Sequence, residues 1–331
     1  MWFGASETTF PYADTYMKIY TAGTFFALMS LGLNYFINCQ GFSTIGMATV
    51  LVGAVTNIIL DPVFIFVFDM GVAGAAIATV IAQILSCLFA LFFLFGKRPP
   101  VKISFGGYSA GIMLRIVAIG LSPFLILATD SVIMIVMNTV LQKTGGTSAD
   151  MLIAAATIVQ SYMMLITGPL GGISGGTQAI ISFNYGAGKY SRVKQGIKFM
   201  SVICIGYTTV VWILTMLVPG AFIAIFNGSG ELMEAGVHAM RIYFFGFCFM
   251  SLQFSGQTVF TGLGKAKQAI FFSLLRKAVI VVPLTLILPH VADLGVNGVF
   301  LAEPISNFIG GTACFVTMLC IMWPALSREK A

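Results

Sequence analysis

An all-α, polytopic membrane protein is the fold class this sequence predicts, and three observations predict it. The 331 residues are 58% hydrophobic and 8% charged, with a mean hydropathy of +0.99, whereas soluble domains carry about 25% charge. Nine apolar stretches follow one another, each near the ~20 residues that cross the hydrocarbon of a bilayer. Three carboxylic acids sit inside such stretches: Asp61 in TNIILDPVFIFVF, Asp130 in PFLILATDSVIMIVMN and Glu303 in GVFLAEPISNF. Holding a charge near the bilayer centre costs about 2.5–3.5 kcal/mol on insertion scales, so acids kept there usually hold a proton, a metal cation or each other. They point to transport across the membrane.

The nine stretches run over 16–39, 44–68, 71–95, 111–141, 150–182, 198–226, 237–262, 268–289 and 295–323. The segment MWFGASETTFPYAD before the first has no basic start and no apolar run, so it does not read as a signal peptide. The first stretch carries a mid-helix amide, Asn34. In the second, Asn57 and Asp61 are four apart and share one helical face. Pro62 follows, and a proline frees a backbone carbonyl that can line a cavity or meet an ion. The third starts at a tight Gly71–Gly74 turn and carries Thr79, at roughly the depth of Asp61 if the two helices are antiparallel. The fourth holds Asp130 beyond Pro123, and also Asn138. The fifth packs five glycines and a proline into GPLGGISGG (168–176), ahead of Gln178. Small residues permit close helix contact or a flexible break, so Gly172 and Gly175 are candidate hinge residues. The seventh holds Gln257, and the ninth Glu303 before Pro304. Asp130 and Glu303 are expected to meet as a carboxylate pair that shares a proton.

Sidedness follows from the basic residues. Fourteen Lys and Arg, among them Lys97, Arg98, Lys189, Arg192, Arg276 and Lys277, fall at one set of helix ends, and three, Lys18, Lys143 and Arg241, at the other. The basic side is expected to be cytoplasmic, which places Met1 outside and the C-terminus inside. A net charge of +6 is then a topology signal and calls for no nucleic-acid partner. The six cysteines are scattered without a CxxC pair, and His238 and His290 have no partner at metal spacing. Gly186-Ala-Gly188-Lys189 lacks the residues of a phosphate loop, with Phe183 and Tyr190 where glycine and Ser/Thr would stand, and Asn227-Gly-Ser229 reads as a turn rather than a glycosylation site. No nucleophile–base pair supports an enzyme.

The chain also repeats itself. Tyr16-Met17-Lys18-Ile19-Tyr20 with Gly23 matches Ala239-Met240-Arg241-Ile242-Tyr243 with Gly246 at an offset of 223. Asp69-Met70-Gly71-Val72-Ala73-Gly74 matches Asp293-Leu294-Gly295-Val296-Asn297-Gly298 at 224. Six spans separate the copies, so the repeats are parallel. Asn34 pairs with Gln257 and Thr79 with Glu303. A complete first repeat would need about a hundred more residues, three helices, ahead of Met1, and the sequence is expected to be an N-terminally truncated form.

The runs YADTYMKIYTAGTFFALMSLGLNYFINCQG, NIILDPVFIFVFDMGVAGAAIAT and GGISGGTQAIISFNYGAGKYSRVKQ closely resemble the multidrug and toxic compound extrusion (MATE) transporters, with the bacterial MepA-like branch the best fit. The resemblance implies two six-helix lobes around a central cavity. Here that means residues 1–95 as the last three helices of the first lobe, 96–110 as a cytoplasmic linker, 111–323 as the second lobe and 324–331 as a cytoplasmic tail. It implies a monomeric plasma-membrane antiporter that exports cationic or amphipathic drugs against Na+ or H+ and uses no cofactor. It implies that Asn57, Asp61 and Thr79 bind the coupling cation, together with an acid of a family helix that this sequence lacks, and that Asn34 lines the cavity. Two alternatives stand beside it. A lipid-linked saccharide flippase of the same architecture needs a strongly basic cavity, and every Lys and Arg is read here as lying near a helix end. A truncated chain of this kind could also be inactive in transport.

Overall fold

In lipid, backbone amides have no water to bond, so apolar runs of this length satisfy their hydrogen bonds internally as helices. The computed structural model describes residues 10–225, 230–291 and 294–328; the Asn227-Gly-Ser229 sequence and Asp293 lie outside them. The helices are α1 (Phe10–Cys39), α2 (Ser43–Val67), α3 (Gly71–Phe95), α4 (Ala110–Thr144), α5 (Ala149–Gly186), α6 (Tyr190–Leu217), α7 (Pro219–Ile225), α8 (Glu231–Tyr243), α9 (Phe247–Gly262), α10 (Ala266–His290) and α11 (Val296–Ser327). Seven of them, α1, α2, α3, α5, α6, α10 and α11, are long and apolar enough to cross a membrane, and the number is eight where the bent pair α8–α9 is counted as one span. The 35-residue α4 occupies the remaining expected stretch.

Two expected stretches are interrupted. The 198–226 stretch divides at Val218, because Pro219 has no N–H to continue the ladder of α6. The 237–262 stretch bends by 46° between α8 and α9. Gly246 sits in that bend, where a Cβ would stand only 2.7 Å from the carbonyl oxygen of Pro304 on α11. The break lets the two backbones touch.

Contacts divide the chain into two compact units, Met1–Gly107 and Tyr108–Ala331. In the first, α3 packs along both α1 and α2. Its buried face repeats every four residues as Gly74, Ala78, Ala82, Ser86, Ala90 and Leu94. Apolar surface gains little from turning away from lipid, so a stripe of small residues that lets helices approach closely is what holds such a pair. In the second unit α5 is central, with α4, α6, α8 and α9 against it, and α9 is backed by α11. Phe244, Phe247 and Phe300 fill one core and Phe260, Met200 and Met318 another. Large apolar side chains such as Phe66, Phe92, Phe183 and Leu217 remain exposed on the outside, as hydrocarbon-facing residues are.

The sequence repeat is a repeat of contacts. A Cβ on Gly23 would stand 2.4 Å from Val80, and their repeat partners are Gly246 and Pro304. A Cβ on Gly74 would stand 2.7 Å from the carbonyl oxygen of Phe64, and one on Gly298 would stand 2.6 Å from the carbonyl carbon of Leu288, again partners at 224. Gly71 and Gly295, which open α3 and α11, share a left-handed φ of 52° and 50°. Each copy thus uses glycine for one turn and two close approaches, of which the one at Gly23 meets a side chain and the other three meet backbone.

Candidate functional site

Three helices are not wound uniformly. Wider π-helical turns occupy Val63–Val67 at the end of α2, Leu275–Val281 within α10 and Asn307–Gly311 within α11. Such turns gather at functional sites, because the extra residue re-aims side chains and loosens the carbonyl ladder. Here the first follows Asp61-Pro62, the second carries Arg276 and Lys277, and the third starts at Asn307, four residues past Glu303. The π turns therefore mark the two polar centres of the molecule.

In the first unit, α2 and α3 bring together the three residues the sequence singles out. The Asn57 amide donates to Asp61 Oδ1 at 3.1 Å and to Thr79 Oγ1 at 3.3 Å. The Thr79 hydroxyl donates to the Ala75 carbonyl at 2.9 Å. All three residues are half-buried. Nearby, the Asn34 amide donates to the Gly46 carbonyl at 2.6 Å and its oxygen accepts from Asn38 at 2.7 Å. Glycine at 46 makes room for this, since a Cβ there would stand 2.1 Å from Asn38 Oδ1. Asn34, Asn57, Thr79 and Gln83 line a cavity of about 360 Å³. Asn34 thus borders a cavity while also tying α1 to α2.

The second unit holds a larger cavity, about 610 Å³, bordered by Asp130, Gln178, Gln257 and Glu303. Here the sequence reading needs correction. Asp130 and Glu303 do reach one cavity, but they do not share a proton between them, because each has its own cation. Arg276 donates from Nη1 to Glu303 Oε1 at 2.8 Å and to Asn307 Oδ1 at 2.9 Å. Lys277 Nζ pairs with Asp130. Arg276 and Lys277 lie in the middle of α10, not at a helix end, and are buried. The reading that all basic residues mark helix ends fails at these two. The physical reason is compensation: a buried cation is tolerated when a carboxylate on a facing helix neutralises it.

Space for Arg276 comes from Gly310, where a Cβ would stand 2.8 Å from both Cβ and Cγ of Arg276. The repeat partners reverse the arrangement, with glycine at 53 and Ser86 opposite it, 3.3 Å from the position of a Cβ on Gly53. Gln257 accepts from Gln253 Nε2 at 3.3 Å across the same wall. Asn138 is half-buried and is not among the cavity-lining residues. At 168–176 the helix α5 runs unbroken through Pro169, and a Cβ on Gly172 or Gly175 would meet nothing within 4 Å. These glycines face open space and make no close helix contact in this conformation.

Sequence reasoning missed Arg276, Lys277, Asn307 and Gln253. A usable signal was present: an Arg-Lys pair nine residues inside an apolar run, facing a run in which Glu303 and Asn307 are four apart.

Residues 124–287 match the MatE family. The chain is 23% identical to the multidrug export protein MepA of Staphylococcus saprophyticus, over 99% of its own length and 70% of the relative's. It is 25% identical to the protein of the same name from Staphylococcus haemolyticus, over 98% of its length and 70% of the relative's. In fold it resembles a MOP superfamily transporter from Pyrococcus furiosus, with a TM-score of 0.90, 24% identity, and cover of 99% of this chain and 72% of that one. An outward-facing multidrug resistance MATE transporter gives 0.88 at the same identity and the same cover of both chains.

Proposed function

We propose that this chain is a secondary antiporter of the plasma membrane that exports cationic or amphipathic drugs in exchange for Na+ or H+. The observation that carries the reading is the Asn57–Asp61–Thr79 cluster. It sets an ionisable oxygen beside two neutral ones on membrane-crossing helices, next to a π turn, and leaves the carboxylate without a basic partner among the described ion pairs. That is a chemistry for catching and releasing a small cation. By contrast Asp130 and Glu303 are already neutralised, so cation coupling rests on Asp61. The MatE match over residues 124–287 and the printed names of the relatives support the drug-export half of the reading.

The proposed topology keeps the remaining basic ends cytoplasmic, with residues 1–95 in one lobe, 111–323 in the other, a linker over 96–110 and a tail over 324–331, in a monomer. The flippase alternative is not favoured, now for a different reason. The second-unit cavity does hold two buried cations, but two carboxylates balance them, and a cavity of zero net charge is not the strongly basic one a pyrophosphate needs.

The test is ethidium accumulation in a pump-deficient bacterial host expressing the chain. Expression should lower accumulation in a way that depends on external Na+ or pH, and Asp61→Asn should abolish that dependence. Accumulation unchanged by expression at every Na+ concentration and pH would overturn the reading.

A further inference from the structure

The two ion pairs of the second-unit cavity are unequal in exposure. Arg276 and Glu303 are 7% and 10% exposed, closed against each other and against Asn307. In the other pair Lys277 is 8% exposed and Asp130 is 53% exposed. One partner is held deep in the cavity wall and the other stands half in the open. Ligands of opposite charge would meet this pair at very different cost.

A cationic ligand could reach the Asp130 carboxylate only by displacing the Lys277 ammonium. That would strand a buried charge without its counter-ion, which is the strongly unfavourable way to break a buried pair. An anionic ligand displaces Asp130 instead. The released carboxylate is the half-exposed member and borders the open cavity, while the buried ammonium keeps a counter-ion throughout. The exchange conserves buried charge pairing.

A second observation points the same way. Arg276 lines the cavity, is buried, and its Nε has no hydrogen-bond partner. Buried polar atoms are seldom left in this state. A guanidinium donor beside an ammonium is the arrangement that receives an oxyanion. The rest of the wall is apolar and adaptable, with Met134, Met137, Met163 and Met250 among its residues, and thioether chains fit varied shapes.

We propose that this cavity binds the anionic head of an amphiphile, carboxylate or phosphate, with Lys277 exchanging Asp130 for the ligand while the methionine wall takes the apolar body. The inference rests on the exporter reading for its role in transport and adds to its cationic drugs a second ligand class, amphiphiles that carry a negative group, zwitterions included. The head can belong to a free solute or to a membrane lipid.

The experiment uses the whole 331-residue chain in phosphatidylcholine nanodiscs, with empty discs as the reference. Three probes share one ring system: 4-(1-pyrenyl)butyrate, its methyl ester, and a pyrenylmethyl trimethylammonium salt. The carboxylate should bind at least about tenfold tighter than the ester, the size of effect expected for one charge-assisted contact, and the ammonium no tighter than the ester. Lys277→Gln should reduce the carboxylate to the level of the ester. Asp130→Asn should tighten the carboxylate, because it removes the internal competitor, and pyrenebutyrate should raise the thermal midpoint of that variant more than that of the wild type.

Equal binding of carboxylate and ester would overturn the proposal, as would a tighter ammonium, or an Asp130→Asn protein with unchanged carboxylate affinity. Should Lys277→Gln fail to fold, Lys277→Arg replaces it and should keep the preference; its loss there counts against the proposal. Replacing a third of the lipid by phosphatidylglycerol separates the sources. Weakened pyrenebutyrate binding identifies a lipid headgroup as the occupant and unchanged binding a free solute, both of which support the site. Ethidium export is scored separately. Export without a carboxylate preference removes this site alone, and a carboxylate preference without ethidium export removes the drug-cation reading alone.

Discussion

Gly310 lies directly over the stem of Arg276: a Cβ at 310 would stand 2.8 Å from the Cβ of the arginine. The absence of one side chain on α11 is what lets a guanidinium enter the membrane interior from α10 and reach Glu303 and Asn307. Gly310→Ala should push the arginine off both acceptors. Overpacking of this kind costs about 1–3 kcal/mol, with the damaged ion pair adding to it. Thermal unfolding of the detergent-solubilised variant measures the loss; an unchanged midpoint would show that Arg276 does not depend on that gap.

Removing one member of the Arg276–Glu303 pair should be worse than removing both. Glu303→Gln leaves a buried guanidinium uncompensated, and single losses of this kind cost about 3–5 kcal/mol. The double variant Glu303→Gln with Arg276→Met should recover most of that. A double-mutant cycle by chemical or thermal unfolding reads the coupling energy; additive effects would mean the two side chains act independently.

The glycines divide into two classes with opposite expected responses. Gly246→Ala drives a methyl to 2.7 Å from a backbone oxygen of Pro304. Backbone cannot step aside as a side-chain tip can, so a destabilisation of about 1–3 kcal/mol is expected. Gly172→Ala meets open space on an unbroken helix and should stabilise by about 0.5–1 kcal/mol. Comparing the two thermal midpoints is the check, and the same sign for both would contradict the packing described.

Asn57 holds Asp61 and Thr79 in one cluster. Asn57→Ala should leave the helices folded, since the residue is only half-buried. It should weaken the Na+ or pH dependence of ethidium export by about tenfold in the half-saturating ion concentration, equivalent to about 1.4 kcal/mol for one lost charge-assisted contact. Export assayed across an ion titration shows this as a shifted midpoint. An unmoved midpoint would separate the amide from ion binding.

Much of the architecture was legible in the sequence because it depends on periodic features. Apolar run length placed most spans to within a few residues, with 198–226 eight to nine residues past the helix Tyr190–Leu217, and the glycines that repeat at the 223–224 offset make close contacts in both copies. The Asn57, Asp61 and Thr79 cluster was also legible, because one pair shares a helical face and the third lies just past a tight turn. What escaped depends on pairing between helices distant in sequence. Glu303 and Asp130 could be recognised as acids within apolar runs, but the position of Arg276 and Lys277 inside such a run shows only that they are interior, and which acid each one meets depends on helix packing. The bend at Gly246 escaped for the same reason: its cause, the Pro304 backbone, lies 58 residues away. The glycines of 168–176 lie on a continuous helix, because a run of small residues allows a hinge without breaking the helix at rest.

The reversed glycines of the two copies, Gly53 facing Ser86 in one and Arg276 facing Gly310 in the other, constrain what the copies can exchange. Arg276 and the bare position 310 form one fitted unit, and neither can be exchanged alone for its counterpart in the other copy: serine at 310 would collide with the arginine stem, and glycine at 276 would leave Glu303 without its counter-charge.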